Sequence, residues 1–367
     1  KSLHINDYKD EDFIYSVHVH HNQKLWTEHL NLIPNSILDL IRKKRGFLLF
    51  DNTLEGNNIE NEWFINPFYN SIRNLKLPSE KIIFVTNNLI AEKSHSKYKS
   101  KSKINIISFM WNVHDVKRLI LLGHLPSKFD VKNEIKFKSK NIEKIKHFLK
   151  INRTPRPERN LFMLFMNHHK ILDKALISFP DFPKEWYPDM FESYTTKNNI
   201  NSLKIKMPFD IDQSDKDNHG EPGQGKGFFD ADLPFNPIHY KNSFISVVMG
   251  AFPFEEKACH LHSSTFNPLY CGHPIIQFGP LHSLKEMRER GFKTFSKWWD
   301  ESYDDEIDGW LRLKKIMKLI LEISERTQKE LLDMYIDMSD VLQHNSDLIK
   351  NYSINTHLYN RLFYDKS

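Results

Sequence analysis

Residues 263–280 read Ser-Ser-Thr-Phe-Asn-Pro-Leu-Tyr-Cys-Gly-His-Pro-Ile-Ile-Gln-Phe-Gly-Pro, and residues 291–303 read Gly-Phe-Lys-Thr-Phe-Ser-Lys-Trp-Trp-Asp-Glu-Ser-Tyr. A helix-like turn begins at Thr265 and ends at His273-Pro274. The apolar run 275–278 that follows is closed by Gly279-Pro280, which is typical of a buried strand leading into a loop. The order of helix, strand and loop predicts one unit of an α/β fold.

Similar apolar runs recur along the chain and stop abruptly in small polar residues. The first set lies at 46–51, 81–88 and 104–109, and the second at 147–151, 175–179, 243–249 and 275–278. Helix-length segments separate them, which predicts parallel sheets whose polar strand ends gather along one edge, where α/β sheets place ligands. We therefore predict an α/β protein with two Rossmann-like domains, at residues 1–140 and 141–325.

The end of the sequence has a different pattern. After Gly309 it contains no Gly or Pro, and apolar residues such as Leu313, Ile316 and Ile320 recur at helical spacing. This spacing predicts C-terminal helices whose apolar stripes contact the core.

Composition limits the class of protein. The chain has 367 residues, 40% of them hydrophobic, which is enough for two buried cores. We expect no membrane span, because no window approaches twenty uninterrupted apolar residues. Two cysteines are too few for a disulfide scaffold, and no charged-then-apolar leader precedes the first domain, so we expect a cytoplasmic protein.

Charge is distributed unevenly along a chain of net charge +5. Lysines crowd residues 93–103, and a second basic run covers residues 132–159. Both runs could bind phosphate, although a solvated lysine-rich face is the better explanation of the first run, whereas a functional role is favoured for the arginines of the second.

Four polar side chains mark the junction between the strand at 147–151 and a helix predicted over 158–170: Asn152, Arg153, Arg156 and Arg159. Helix N-termini present free N–H groups and guanidinium groups add bidentate donors, so this junction suits a diphosphate. The alternative is that the arginines brace a linker between the domains.

A zinc site is the other possibility that the histidines and cysteines raise. Cys259, His260, His262, Cys271 and His273 form two close groups, but their spacing fits no standard zinc motif. We therefore predict no metal site.

Several of these segments resemble a family of bacterial and viral glycosyltransferases with the two-domain GT-B architecture. The family carries Thr-Glu-Lys-Thr-Phe-Lys-Pro, Gly-His-Pro and Gly-Phe-Lys-Thr-Phe motifs, followed by Trp-x-Asp-Glu-Ser-Tyr, and the match is close from Thr265 to Tyr303. The resemblance implies a nucleotide-sugar donor bound in a cleft, chiefly by the second domain, with no cofactor and no required divalent metal. It also implies that the tail at 326–367 packs back on the first domain, and that the protein comes from a bacterium or a virus-infected host cell.

The first domain carries a second part of the resemblance, because residues 50–56 and 82–88 match the family's Asp-x-x-x-Glu-Gly turn and Ile-Ile-Phe-Val-x-x-Asn strand. A carboxylate at the mouth of a strand is where an inverting enzyme needs a base for the acceptor hydroxyl. We predict Glu55 as that base and Asp51 as the second candidate. The alternative is a turn carboxylate that caps a helix.

The sequence departs from the family in the donor motif. Ser263 and Ser264 replace Glu and Lys, and Asn267 replaces a Lys; with His262 and Thr265 they complete the predicted donor set. The lost charges leave three possibilities: a different donor, compensation by histidines or arginines, or a module that binds nucleotide sugar without turnover. The acceptor is predicted to be a glycan or small molecule, with DNA bases as the alternative.

Overall fold

The computed structural model describes residues 13–18, 30, 32–53, 56, 58–60, 62–97, 104–151, 156–178, 187–203, 237–250 and 252–353. They form two compact units. The first unit runs to Asn112 and includes Glu255–Leu261, and the second comprises Val113–Phe254 and His262–Tyr352. The second unit thus contains residues 113–140 and 326–352, while the domain boundaries at 140 and 325 stay predictions.

A parallel four-stranded sheet forms the centre of the first unit. Its strands are β1 (Ile14–His18), β2 (Phe47–Asn52), β3 (Ile82–Thr86) and β4 (Asn105–Ser108), in the order β1-β2-β3-β4. The three strands predicted here are present, and β1 is an additional strand that was not predicted. Its burial is slight, since only Val17 of its five residues is buried.

The helices of the first unit are α1 (Asn35–Arg42), α2 (Glu62–Asn74) and α3 (Ala91–Ser96), and a 3₁₀ turn covers Ser79–Lys81. All five residues of β3 are buried, as expected for a central parallel strand covered on both faces. The core includes a row of aromatic rings, in which Phe68 of α2 packs edge-on against Phe50 at 5.0 Å and against Phe84 at 6.0 Å.

A second parallel sheet organises the other unit. Its strands are β5 (Lys146–Ile151), β6 (Ala175–Ser178), β7 (Ser243–Met249) and β8 (Ile275–Phe278), in the order β6-β5-β7-β8. Every residue of β7 and β8 is buried, which explains why these strands are predominantly apolar in the sequence. The predicted α/β class with two parallel sheets is confirmed, and it is consistent with a Rossmann-like fold.

Ten helices are described in the second unit, among them the predicted C-terminal ones. They are α4 (Val113–Leu121), α5 (Val131–Lys140), α6 (Pro157–His168), α7 (Lys197–Leu203), α8 (Ile238–Lys241), α9 (Ser263–Tyr270), α10 (Ser283–Glu289), α11 (Gly309–Ser324), α12 (Gln328–Asp337) and α13 (Ser339–Asn351). Short 3₁₀ turns cover Ile142–Lys144, Leu172–Lys174, Asp189–Phe191 and Ser302–Asp305. No helix within the described ranges has the length and apolar character needed to cross a membrane.

Side-chain caps fix where several of these helices begin. The Asp308 carboxylate accepts hydrogen bonds from the amides of Trp310 and Leu311 at the start of α11, and Thr327 and Glu330 form a capping box at the start of α12. Buried Asp304 accepts from the amides of Leu284 and Lys285 in α10. Much of the acidic run at 300–308 therefore has a structural role.

Candidate functional site

The strand order of the second sheet reverses between β5 and β7. The chain passes from β5 to β6 on one side and then returns to place β7 on the other side of β5. Ligands of open α/β sheets bind outside the carboxyl ends of the strands at such a switch point. The four strands described in the first sheet follow chain order and contain no reversal. The carboxyl edge of the second sheet is therefore the candidate ligand-binding site.

Helix α6 begins at this switch point, directly after β5. Pro157 occupies its first turn, where a fixed φ is compatible with the helix and a missing N–H costs nothing. Arg156 is the N-cap residue with extended backbone, φ −148° and ψ 153°, and its side chain makes no capping hydrogen bond. The first-turn amides and the positive end of the helix dipole thus lie beside a guanidinium group.

Arg159 lies on the same turn and joins α6 to β7. Its Nη2 donates a 2.9 Å hydrogen bond to the carbonyl oxygen of Met249, the last residue of β7. Burial, together with the charge of Arg156, lowers the pKa of Arg159 to about 10. Arg159 is still protonated at neutral pH, so two mutually repelling cations lie at the start of one helix, and binding of an anion there would offset that repulsion.

Lys150 adds a third basic group on the adjoining strand. It is fully buried near the carboxyl end of β5, with its Nζ 4.8 Å from the centroid of the Phe162 ring. Burial, and secondarily Arg159, holds the pKa of Lys150 well below its usual range, while Glu158 opposes this shift. We call Lys150, Arg156 and Arg159 the basic cluster; the carboxylate of Glu158 is an acidic neighbour of Lys150 and Arg159.

Gln277 lies at the same edge and was missed by sequence reasoning. It is the third residue of β8 and is 1% exposed; its Oε1 accepts a 3.2 Å hydrogen bond from Thr265 Oγ1. Its Nε2 makes no hydrogen bond within the described part of the chain. The signal that could have revealed it is an amide inside the otherwise apolar run Ile275–Phe278.

Two glycines allow this close packing at the carboxyl ends of β7 and β8. A Cβ at Gly250 would lie 3.2 Å from Gln277 Nε2, and a Cβ at Gly279 would lie 2.9 Å from it. Larger residues would displace the Gln277 amide. The glycines therefore keep the strand ends open around an unsatisfied donor.

The predicted donor motif forms the start of α9. His262 is its N-cap residue, and its Nδ1 accepts from the amide of Ser264 at 3.4 Å and lies 3.1 Å from Ser263 Oγ. Thr265 is buried and holds α9 against β8 through Gln277. Asn267 is half-buried, and its Oδ1 has no hydrogen-bond partner among the residues described.

The structure thus groups Arg156 with Arg159 at α6, and His262, Ser263 and Ser264 at α9. Asn152 and Arg153 lie outside the described residues. Ser263 and Ser264 present hydroxyl groups and helix amides, rather than charges, at the start of α9. The positive charge near the switch point comes from the basic cluster instead.

A histidine and an aspartate meet at the carboxyl edge of the first sheet. Asp51 Oδ2 lies 3.0 Å from His18 Nδ1, and the two residues are register partners on β1 and β2. Asp51 Oδ1 accepts from the amide of Thr53 at 3.0 Å, which fixes the carboxylate. The His18 side chain is 70% exposed, against 20% for Asp51. A carboxylate that orients an accessible imidazole is an arrangement suited to general-base catalysis.

Sequence reasoning missed His18 because it lies on the unpredicted strand β1. Asp51 is present at the predicted edge, whereas Glu55 lies outside the described residues. The 3.0 Å contact with His18 Nδ1 suits Asp51 to orienting the imidazole ring more than to acting as the base itself.

The segment Glu255–Leu261 packs at the same edge of the first sheet. Cys259 donates from its amide to Asn88 Oδ1 at 3.0 Å and accepts from the amide of Leu89 at 2.8 Å. Buried His260 lies against Gly56 and 3.3 Å from Asn112 Nδ2. These contacts give the segment a structural role in the first unit.

The remaining histidine of the possible zinc set has hydrogen bonds of its own. His273 Nδ1 accepts from Ser246 Oγ at 2.7 Å, and its Nε2 donates to the Ser243 carbonyl at 2.8 Å. Cys259 and Cys271 are free thiols. In the described ranges, no group of three or more His, Cys, Asp or Glu side chains is placed to hold a metal ion.

Comparison with protein-family models found no match, and comparison with curated proteins found no significantly similar sequence. The function is therefore inferred from the chemistry of the two units.

Proposed function

We propose that the protein is a glycosyltransferase with a GT-B-like architecture, which transfers a sugar from a nucleotide-sugar donor to a hydroxyl of a glycan or small molecule. The observation that carries this proposal is the position of Arg156 and Arg159 on the first turn of α6, at the switch point of the second sheet. A diphosphate matches this arrangement, because helix amides and guanidinium groups are both donors to phosphate oxygens.

The same residues account for the chemistry of the donor. Cleavage of the bond between sugar and phosphate leaves negative charge on the nucleoside diphosphate. Arg156 and Arg159 stabilise that charge as it develops. The arginines supply this stabilisation without a divalent metal in the proposed reaction.

The acceptor is activated in the first unit. Asp51 holds the His18 ring so that Nδ1 carries the proton, which leaves Nε2 as the base that removes the proton from the acceptor hydroxyl. The acceptor oxygen then forms the new bond to the anomeric carbon as the bond to phosphate breaks.

A panel of nucleotide sugars tests the proposal. Purified full-length protein is incubated with each donor, with and without EDTA, and release of the nucleoside diphosphate is measured. We expect one donor to release nucleotide at a rate that EDTA leaves unchanged. If the folded protein released nucleotide from none of the donors, the proposed glycosyltransferase activity would be contradicted.

Two alternative functions predict different results in experiments on the same purified protein. A catalytically inactive module binds the nucleotide but forms no product. Calorimetry would then show binding, while no donor in the panel would release nucleoside diphosphate. A DNA-modifying enzyme binds duplex DNA with a logarithmic affinity that falls steeply as salt concentration rises. Lys93 and Lys97 are the described members of the lysine-rich run that motivates this alternative.

A further inference from the structure

Phe252 presents an aromatic ring at the carboxyl edge of the second sheet. It follows β7 by three residues, and it is 48% exposed although it is large and apolar. Its φ of 54° lies in the left-handed region, which is unusual for a bulky residue. Such strained positions cluster at ligand-binding sites, where the surrounding structure holds them.

The ring of Phe252 lies beside the basic cluster. Cζ of Arg156 is 5.8 Å from the ring centroid, within the range of a cation–π contact. A flat hydrophobic face and a phosphate-binding guanidinium group are thus adjacent in one unit. A nucleotide carries the two complementary parts, a planar base and a phosphate, on the same molecule.

The residues that follow Phe252 are firmly anchored. The Pro253 carbonyl accepts a 3.0 Å hydrogen bond from Nη1 of buried Arg312, which also donates to the Gly279 carbonyl at 2.7 Å. Phe254 packs against Trp310, with ring centroids 4.7 Å apart. Because the two residues that follow it are fixed, Phe252 loses less freedom when a ligand stacks on it, which favours binding.

We infer that Phe252 is a stacking platform for the base of a nucleotide, and that Arg156 binds the phosphates of the same molecule. This inference deepens the proposed function and rests on it, since the nucleotide is the donor's leaving group. A base is favoured over a sugar because the flat face of a Phe ring stacks on a planar base, while the adjacent Arg156 binds the phosphates.

Isothermal titration calorimetry on the full-length protein tests the platform. The probes are UDP, CDP, GDP and ADP, with inorganic pyrophosphate as the ligand that lacks a base. The variants are Phe252→Leu, which removes the π-face but keeps an apolar side chain, and Phe252→Trp, which restores it. Leu311→Ala is the matched control, because Leu311 is also an exposed apolar residue of this unit. Thermal melting confirms that each variant is folded.

Phe252→Leu is expected to weaken the tightest nucleotide by about 5- to 150-fold, the range found for loss of one stacked base. Pyrophosphate affinity should change by less than about twofold, and Phe252→Trp and Leu311→Ala should bind the nucleotide like wild type. Equal nucleotide affinities for wild type and Phe252→Leu would overturn the platform while leaving the proposed function standing. Failure of every nucleotide to bind wild type would overturn both.

Discussion

The Arg159 guanidinium links the first turn of α6 to the end of β7 by donating a 2.9 Å hydrogen bond to the Met249 carbonyl. Because β7 lies next to β5, from which α6 continues, this contact fixes the helix N-terminus across the switch point. It keeps the amides of α6, Arg156 and the ring of Phe252 at one edge. The proposed donor site depends on that arrangement.

His18→Gln should abolish most of the proposed transferase activity. Gln keeps a polar side chain but cannot accept a proton at neutral pH, so the turnover rate should fall by about 10²- to 10⁴-fold, the usual contribution of a general base. Nucleotide affinity should stay unchanged, because His18 belongs to the acceptor chemistry. Release of product at saturating donor measures the rate. His124→Gln changes an exposed histidine of the other unit and serves as the control. An equal loss of turnover rate in both variants would argue against His18 as the general base.

Gly56→Ala should loosen the segment Glu255–Leu261. A Cβ at residue 56 would lie 2.7 Å from Cγ of His260, so His260 or the backbone must move, at a cost of about 1–3 kcal/mol. Cys259 is fully buried in this segment, and its alkylation by iodoacetamide should accelerate. Mass spectrometry follows the modification. Gly123→Ala, where the space is open, should leave the rate at Cys259 as in wild type. Unchanged labelling in Gly56→Ala would show that the segment is not held as described.

The stability of the second unit should fall as the pH drops below about 6.5. Burial, and secondarily the charge of Lys138, keeps the pKa of His273 well below its usual range. The unfolded chain binds a proton at its ordinary pKa of about 6.5, whereas the folded His273 stays neutral, so acid favours unfolding. One such group contributes up to about 1.4 kcal/mol per pH unit below that value.

Urea unfolding at pH 7.5, 6.5 and 5.5 measures this slope. His273→Gln should show a shallower decline, because Gln at this position cannot titrate. Some decline should persist, since burial also lowers the pKa of His147. Parallel slopes for the two proteins would exclude His273 as the titrating group.

Arg312→Met should destabilise the protein by about 3 kcal/mol or more. Arg312 is 1% exposed and donates to the carbonyls of Pro253, Gly279, Glu306 and Ile307. Met fills a similar volume but leaves those buried acceptors without their donor. Urea unfolding gives the difference, and Arg326→Met at an exposed position should stay within about 0.5 kcal/mol of wild type. A loss no larger than that control would show that the carbonyls find other donors.

Local patterns predicted most of the architecture. The apolar runs predicted seven of the eight strands in the described part of the chain, because buried parallel strands form largely apolar runs in the sequence. Strand β1 was missed because it is short, lies at the edge of its sheet and ends in His18, so its pattern resembles a polar loop. For this reason His18 was not among the predicted candidate bases.

Contacts between distant residues could not be predicted in the same way. Nothing near Asn88 in the sequence indicates that Cys259 donates to its side chain, since 171 positions separate them. The basic cluster was partly foreseen, because Arg156 and Arg159 lie within one helix start. The partnership of Arg156 with Phe252 depends on the strand order and appears only in the fold.

Nucleoside diphosphate binding to wild type and Arg156→Gln, measured by calorimetry, tests the proposed donor site most directly. Lys314→Gln removes the same charge from an exposed position on α11 and is the control. We predict that at least one nucleoside diphosphate binds wild type and Lys314→Gln equally, and binds Arg156→Gln at least about tenfold more weakly, as expected for loss of a charged hydrogen bond. Equal affinity for all three proteins, or no binding to wild type, would contradict a phosphate site at the start of α6.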